Sequence, residues 1–276
     1  MSDEYFETFL ADTPESREMH YRIRYKVYCE EMEYENKNDF SHAQEYDHWD
    51  DHSAHFIVKH KESGEWVGAM RLIFQYNQNL PIQQHVILND NIRNTKSGLS
   101  VELSRLCVLK EMRRGRRVTY PMDGIPAEHA EIKEPDTMKV SMLHNQHLIS
   151  RQIIWGLLHA ASAYCYDQNI TNWYFLTHPA LAPLLHPDGL NLLNIGDACY
   201  HRGKRYPFKM NGAETYHSHV WQNGYANEYS LFSSLVDPSH QADCLPVKSF
   251  PTGNRSRSTV RGRLFGVSSA CTSPLL

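Results

Sequence analysis

Apolar positions along the first 211 residues switch between helical and extended spacing. Asp12-Thr13-Pro14-Glu15 reads as a helix start, with a capping side chain, a proline in the first turn and an acid near the positive end of the helix dipole. The helix is expected to run to about Met32, with Tyr21, Arg24 and Tyr28 on one face at i, i+3 and i+7. Residues 33–53 are polar, acidic and dotted with aromatics, without periodicity, and read as a loop. His55–Lys59 and Trp66–Ile73, joined by the turn Glu62-Ser63-Gly64-Glu65, predict a β-hairpin, and Leu99–Leu109 predicts a third strand. Ile149, Ile153, Leu157, Ala160, Ala161 and Tyr164 fall at helical spacing and predict a helix over 147–167. Ile170–Thr177 reads as a strand, Pro179 opens a short helix ending near Pro187-Asp188-Gly189, and Leu190–Ile195 and Ala198–Arg202 predict further strands.

After about Asn211 the pattern weakens. Residues 1–211 are read as one α/β domain with a charged insertion at 111–143 that contains Pro121, Pro126 and Pro135. Residues 212–249 are expected to pack on that domain, and 250–276, rich in Ser, Thr, Arg and Gly, to form a disordered basic tail. The irregular order of strands and helices, and the lack of a GxGxxG or P-loop, argue against dinucleotide and nucleoside-triphosphate folds.

Composition narrows the classes. At 276 residues, 41% hydrophobic, the chain is long enough to bury roughly three quarters of its unfolded surface. No apolar run approaches the ~18–20 residues of a membrane helix, and the acidic N-terminus lacks the marks of a signal peptide, so a cytoplasmic location without a membrane span is expected. Six widely spaced cysteines without a CxxC fit reduced thiols. The net charge of −4 argues against nucleic acid as a partner, but its distribution is uneven: residues 1–53 carry −10, while 105–117 and 245–276 each carry +5.

Glu102-Leu103-Ser104-Arg105 places charge inside an apolar strand, where charged groups are seldom buried unpaired. Glu102 and Ser104 share one face by alternation, and Arg105 the other unless a bulge re-aims it. Arg24 and Arg71 also interrupt apolar elements. Two readings stand side by side: a structural ion pair of Glu102 with Arg71 or Arg24, or an active site in which these groups build a cavity with fixed charges. The segment from Glu45 to His55 matches no metal-ligand spacing, so no metal is expected, and it reads instead as an acidic, aromatic loop able to hold an amine. Cys107 sits near Glu102 but has no histidine close in sequence, which argues against a thiol nucleophile. The run Arg113-Arg114-Gly115-Arg116-Arg117 could grip phosphate or an acidic protein, or be a solvated loop.

These residues in this order resemble the acyl-homoserine-lactone (autoinducer) synthases and the related N-acyl amino acid synthases, within the GNAT acyltransferase fold. The resemblance covers about 5–211. It rests on Arg24 with Tyr28 and Tyr34, on Asp47 and Asp50 three apart, on Arg71 in the strand after the hairpin turn, and on Glu102-Leu103-Ser104-Arg105. The opening Arg24-Tyr25-Lys26-Val27-Tyr28-Cys29-Glu30-Glu31 looks most like the exosortase-associated (PEP-CTERM) branch. Tyr28 and Tyr34 stand where the autoinducer synthases carry Phe and Trp, a departure that favours an amino acid or other amine over S-adenosylmethionine as acceptor.

The resemblance implies a three-layer αβα fold around a twisted mixed sheet, and direct transfer of a fatty acyl group from a thioester to an amine. No tightly bound cofactor is implied; the co-substrate is acyl-carrier protein or acyl-CoA. It casts Glu102, Ser104 and Arg105 as catalytic, with Glu102 the base, and Arg24, Tyr28, Tyr34, Asp47, Asp50 and Arg71 as substrate-binding. Arg113, Arg114, Arg116 and Arg117 would meet an acidic carrier protein or phosphate, and a monomer is expected. The alternatives are an acyl-homoserine-lactone synthase proper using S-adenosylmethionine, a GNAT acetyltransferase, and a non-catalytic acyl-binding protein on the same scaffold.

Overall fold

The computed structural model describes residues 2–75, 79–89, 99–114, 136–178, 190–222 and 228–235. A turn of helix, α1 (Ser2–Tyr5), leads into β1 (Phe6–Leu10) and then α2 (Pro14–Tyr25). Thr13 caps α2 through a reciprocal pair with Ser16, and Pro14 occupies the first turn, where a missing N–H costs nothing. The helix continues as a π-helical turn, Lys26–Glu31, and ends at Met32 as its sequence predicts.

The hairpin forms from β2 (Ser53–His60) and β3 (Trp66–Phe74), with Gly64 at φ 72 in the turn. After α3 (Ile82–His85) come β4 (Leu99–Val108), α4 (Lys110–Arg114), α5 (Asp136–Asp167) and β5 (Ile170–Thr177). Short strands β6 (Leu193–Asn194) and β7 (Cys199–Tyr200) precede β8 (Lys204–Asn211), α6 (Gly212–Tyr216) and β9 (Ser230–Leu231). The helix expected over 147–167 starts earlier, at Asp136, so the last part of the 111–143 segment is helical. The short helix expected after Pro179 and the 250–276 tail lie outside the described residues.

The strands make one mixed sheet in the order β6-β8-β5-β4-β3-β2-β1-β9, with β7 paired to β8. Alternation along β3 separates its two faces. Met70, Leu72 and Phe74 join Ile153, Leu157, Ala160 and Ala161 of α5 in one core, whereas Ala69 joins Ile23 of α2, Val27 of the π-helical turn and Ile57 of β2 in the other. The result is three layers, helix on sheet on helix. Contact on the α5 side is tight at Gly68: a Cβ there would lie 2.8 Å from Ile153 and 3.2 Å from the Cys107 carbonyl.

Residues beyond Asn211 are part of this architecture. β9 extends the sheet by pairing parallel to β1, and Asp12 accepts hydrogen bonds from the backbone N–H (2.9 Å) and hydroxyl (2.5 Å) of Ser233. Trp221 packs in the α5 core and stacks on His159.

Candidate active site

Two interruptions of regular structure create the site. The first is in β4. Arg71 pairs with Ser104 but Ala69 pairs with Cys107, so one extra residue on β4 faces β3. Arg105 absorbs it at φ 52, in the left-handed region. The bulge puts the Arg105 side chain on the same face as Ser104, the α2 face, while Leu106 turns to the α5 core and Cys107 returns to the α2 side. The re-aiming left open by the sequence pattern thus takes place.

The second interruption lies between β4 and β5. Their parallel pairing ends at Glu102 and Tyr174, although β4 continues to Val108 and β5 to Thr177, where it pairs only with β8. A cavity of about 250 Å³ opens beside this point, lined by Tyr28, Tyr34, Asp47, Arg71, Glu102, Ser104 and Arg105, and by His85, His201, Arg202 and Arg205. The π-helical turn of 26–31 shifts the phase of α2, and Tyr28 donates its hydroxyl hydrogen to the Leu106 carbonyl (3.2 Å) while its ring lies under the Arg105 guanidinium (5.5 Å).

Behind the cavity, three arginines meet three carboxylates. Arg24, fully buried, donates to Glu45 (2.5 Å) and Asp50 (2.6 Å). Arg71 donates through both terminal nitrogens to Asp47 (2.7 and 3.1 Å) and through Nε to the Ser104 hydroxyl (3.0 Å), and its Nη1 forms an ion pair with Asp50 at 2.8 Å. Arg105 reaches Glu45 (2.9 Å) and Asp47 (3.2 Å). The loop after α2 folds back to supply the acids. Asp50 accepts the Asp47 backbone N–H (2.8 Å) and bonds His55 (3.0 Å), and Asp47 accepts the Trp49 N–H (2.9 Å).

Burial alone would raise the carboxyls of Asp50, Asp47 and Glu45. For Asp50 the His55 hydrogen bond and the charges of Arg24 and Arg71 outweigh it, for Asp47 the bonds and charge of Arg71 do, and for Glu45 the charges of Arg24 and Arg105 do. All three are held below the usual carboxylate range. At His55 burial wins: it lowers the imidazole despite its bond to Asp50.

Glu102 lies apart from this cluster. The structural ion pair with Arg71 or Arg24, one of the two readings of the sequence, does not form; those arginines are taken by the 45–50 loop. Glu102 is 4% exposed, and its one hydrogen bond among the described residues is from the Ile82 backbone N–H (2.7 Å). Burial pushes its carboxyl up to about 8, against smaller opposing effects of the Ile82 bond and the charges of Arg71 and Arg105. Its walls are apolar: Trp49, Ile73, Leu80, Ile82, Tyr174 and Ile195 form a separate buried cluster, and Trp49 and Ile73 line the cavity with Glu102.

Of the residues singled out from sequence, Glu102, Ser104, Arg105, Tyr28, Tyr34, Asp47 and Arg71 line the cavity. Arg24 and Asp50 are buried behind it. Arg113 is anchored, donating to Glu31 (2.5 Å) and to the Val108 carbonyl (2.9 Å); Arg114 ends α4, and Arg116 and Arg117 lie outside the described residues. Cys107 is buried, with its thiol pushed up to about 12 by burial, as suits an inert core cysteine. Sequence reasoning missed Glu45 as the shared partner of Arg24 and Arg105, and it missed His85, His201, Arg202 and Arg205. The run His201-Arg202-Gly203-Lys204-Arg205, basic residues around a glycine between two strands, is the signal that could have found the last three.

No curated protein matches the chain in sequence. Residues 23–122 match the acetyltransferase (GNAT) domain family. Among solved structures, a CoA-dependent acyl-homoserine lactone synthase, BjaI, with S-adenosylmethionine and isopentyl-CoA, is similar over 82% of this chain and 92% of its own, at 17% identity and a TM-score of 0.53. TofI, in a ternary complex with an inhibitor and MTA, is similar over 78% and 96%, at 14% identity and a TM-score of 0.52. FeeM, an N-acyl amino acid synthase from uncultured soil microbes, is similar over 79% and 97%, at 9% identity and a TM-score of 0.44. The chain thus has the GNAT fold in the form seen in acyl-homoserine lactone synthases, and a GNAT acetyltransferase domain match on the stretch that carries the arginine–carboxylate cluster and Glu102.

Proposed function

We propose that this chain is an N-acyltransferase that moves a fatty acyl group from a carrier-protein or CoA thioester to the amine of an amino acid or related acceptor. One observation carries the reading: Glu102 is a buried carboxyl without an ion pair among the described residues, its affinity for protons raised to about 8, on the wall of a cavity where two strands part. An ammonium cannot attack a thioester, and a base of this strength accepts its proton near neutral pH. The free amine then attacks the thioester carbonyl to give a tetrahedral oxyanion; as it collapses the C–S bond breaks, the nitrogen's second proton goes to the departing thiolate, and Glu102 releases the first to solvent. No acyl-enzyme intermediate is required. The β4 bulge leaves the extra residue out of the ladder, and an amide freed there is suited to an oxyanion. Ser104 is held by Arg71 and has no adjacent base, so its place is in shaping the wall and not as a nucleophile.

A cavity of about 250 Å³ lies a little below the ~300–1,000 Å³ of clefts that enclose drug-sized ligands. It suits the acceptor and the reacting carbonyl; the acyl chain and the carrier arm would extend from it. For a carrier protein, the basic run around Arg113, Arg114, Arg116 and Arg117 offers the complementary charge, with Arg113 already fixed by Glu31.

The deciding assay offers the protein acyl-CoA and acyl-carrier protein of several chain lengths with a panel of amines, and reads N-acyl products by mass spectrometry. N-acyl amino acids support the proposal. Lactone formation with consumption of S-adenosylmethionine would make the chain an autoinducer synthase instead, and bound acyl donor without turnover would make it a binding protein. Reversing charge at Arg113, Arg114, Arg116 and Arg117 is expected to weaken carrier-protein binding and its salt dependence; equal affinity at low salt removes those residues from docking.

A further inference from the structure

Positive charge around the cavity is not evenly compensated. Arg71 and Arg105 are matched by Asp47, Asp50 and Glu45. Arg202 is matched by Glu35, and its Nη1 donates to His201 Nε2 (2.8 Å). Arg205 differs. It is half-buried on the same cavity, and among the described residues its one hydrogen bond is a long one to the Lys204 carbonyl (3.4 Å) and no carboxylate pairs with it. Glu102, the remaining acid on the wall, is pushed up to about 8 by burial, so at neutral pH it is mostly protonated and supplies little compensation.

Arg205 sits beside two imidazoles. The rings of His85 and His201 face each other at 4.0 Å, tilted by 38°. Because an arginine can only donate, the bond from Arg202 makes His201 Nε2 an acceptor and leaves the proton of the neutral ring on Nδ1, available as a donor. The frame is rigid. β7 and β8 pair Cys199 with Arg205 and Tyr200 with Lys204, and the turn between them places Arg202 (φ 51) and Gly203 (φ 95) both in the left-handed region. A bulky residue held at positive φ and tied to an acid is a conformation the surroundings impose.

We propose that Arg205, with His201 and His85, forms a carboxylate-binding subsite that receives the acceptor's carboxylate, so that the acceptor is an α-amino acid whose amine is presented to Glu102. The assignment rests on the amine-acylation reading above and moves the recognition of the carboxylate away from Arg71 and Arg105, whose guanidinium groups already face acids. A guanidinium without a partner fits a carboxylate fork to fork. An α-amino acid carries amine and carboxylate on one carbon, so one small cavity can hold both against Glu102 and Arg205. Burial, the neighbouring His85 and the charges of Arg105 and Arg205 hold His201 down at about 4, so near neutral pH it contributes a neutral donor, and Arg205 supplies the charge. The same chemistry would accept a phosphate of the donor's pantetheine arm, and the test separates the two sources.

The experiment measures kcat/KM of the full-length protein with decanoyl-CoA for two matched acceptor pairs, leucine against isopentylamine and phenylalanine against phenethylamine. Wild type is expected to prefer the amino acid of at least one pair. Arg205→Gln is expected to narrow that preference about 10- to 100-fold, chiefly through acceptor KM, and Arg205→Lys to restore part of it. An equal loss on acid and amine, or an effect confined to the KM of decanoyl-CoA, overturns the assignment, the second outcome pointing to donor phosphate. Should wild type acylate no amine, the preceding reading falls, and the subsite is judged by binding alone. Imidazole resonances of His201 are followed as N-decanoyl-leucine or N-decanoyl-isopentylamine is added. Shifts with the carboxylate compound only, lost in Arg205→Gln, support the subsite; identical responses to both compounds overturn it.

Discussion

Two sets of groups around the cavity treat charge in opposite ways. In one set Arg24, Arg71 and Arg105 face Glu45, Asp47 and Asp50, three against three, with each acid held ionised. In the other are Glu102 and Arg205, with no countercharge for either among the described residues. A matched cluster resists change in protonation and ligand alike. It joins α2, the 45–50 loop, β3 and β4 into one rigid wall. An unmatched group responds to both, because a proton or ligand supplies what the fold withholds. On the proposed reading, the arginines that look most functional in the sequence serve as scaffold, and the chemistry belongs to the groups left incomplete.

The largest expected effect tests the incomplete side. Glu102→Gln should lower turnover by about 10²–10⁴ with the matched cluster intact, read as acyl transfer alongside an unchanged circular dichroism spectrum; an unaltered rate would remove Glu102 as the base. The matched side should respond in stability. Arg24→Met leaves Glu45 and Asp50 buried without their partner, and urea unfolding should show a loss of about 3–5 kcal/mol. A loss below about 1 kcal/mol would mean the cluster is not the strut described.

A third measurement sets the sides against each other through pH. The Glu102 carboxyl is raised from an ordinary 4.5 to about 8, so between those values the folded chain binds a proton that the unfolded chain has lost. That contribution is fully present below 4.5 and declines as pH rises towards 8, by at most about 1.4 kcal/mol per pH unit. Glu102→Gln lacks this term, so the difference in stability between variant and wild type should shift in the variant's favour from pH 5 to 8. Turnover by wild type should move the other way, rising with pH to a plateau above about 8. The depressed acids of the matched side give the reverse sign, and their stabilisation is lost only in acid, as pH falls below the ordinary carboxylate range. The smallest effect is expected at the rim: Arg113→Ala breaks a partly exposed pair with Glu31 and should cost about 1 kcal/mol or less.

Much of this was legible in the sequence where one physical rule dominates. The capped start of α2, the hairpin and β5 follow from capping, alternation and turn residues, and β4 matches its expected span to within a residue. Glu102, Arg71 and Arg105 stood out because charge inside apolar strands is costly, and the structure brings them to one cavity. Partner choice was not legible. Local spacing cannot say that Arg24 meets Glu45 across a loop of about twenty residues, nor that the 45–50 loop and not Glu102 neutralises the arginines. β1, β8 and β9 were missed for a related reason. β1 is five residues beside a strong helix signal, β8 carries Lys, Arg and Pro207 near the sheet's edge, and β9 is two residues that exist only because β1 offers an unpaired edge. The wall built by 201–205 depends on a turn with two residues at positive φ, a conformation that an arginine at one of those positions does not advertise.

The π-helical turn at Lys26–Glu31 gives the site an unusual kind of sensitivity. Such a turn holds one residue more than an α-helix needs, and each residue of an α-helix turns the chain by about 100°. Removing Lys26 or Val27, ahead of Tyr28, would let the helix relax to regular winding, swing Tyr28 off Arg105, and hand the rest of the loop to the sheet in a different phase. Replacing one of them in place would leave the winding alone. The length of this stretch, more than the letters in it, fixes where the acids of the loop arrive.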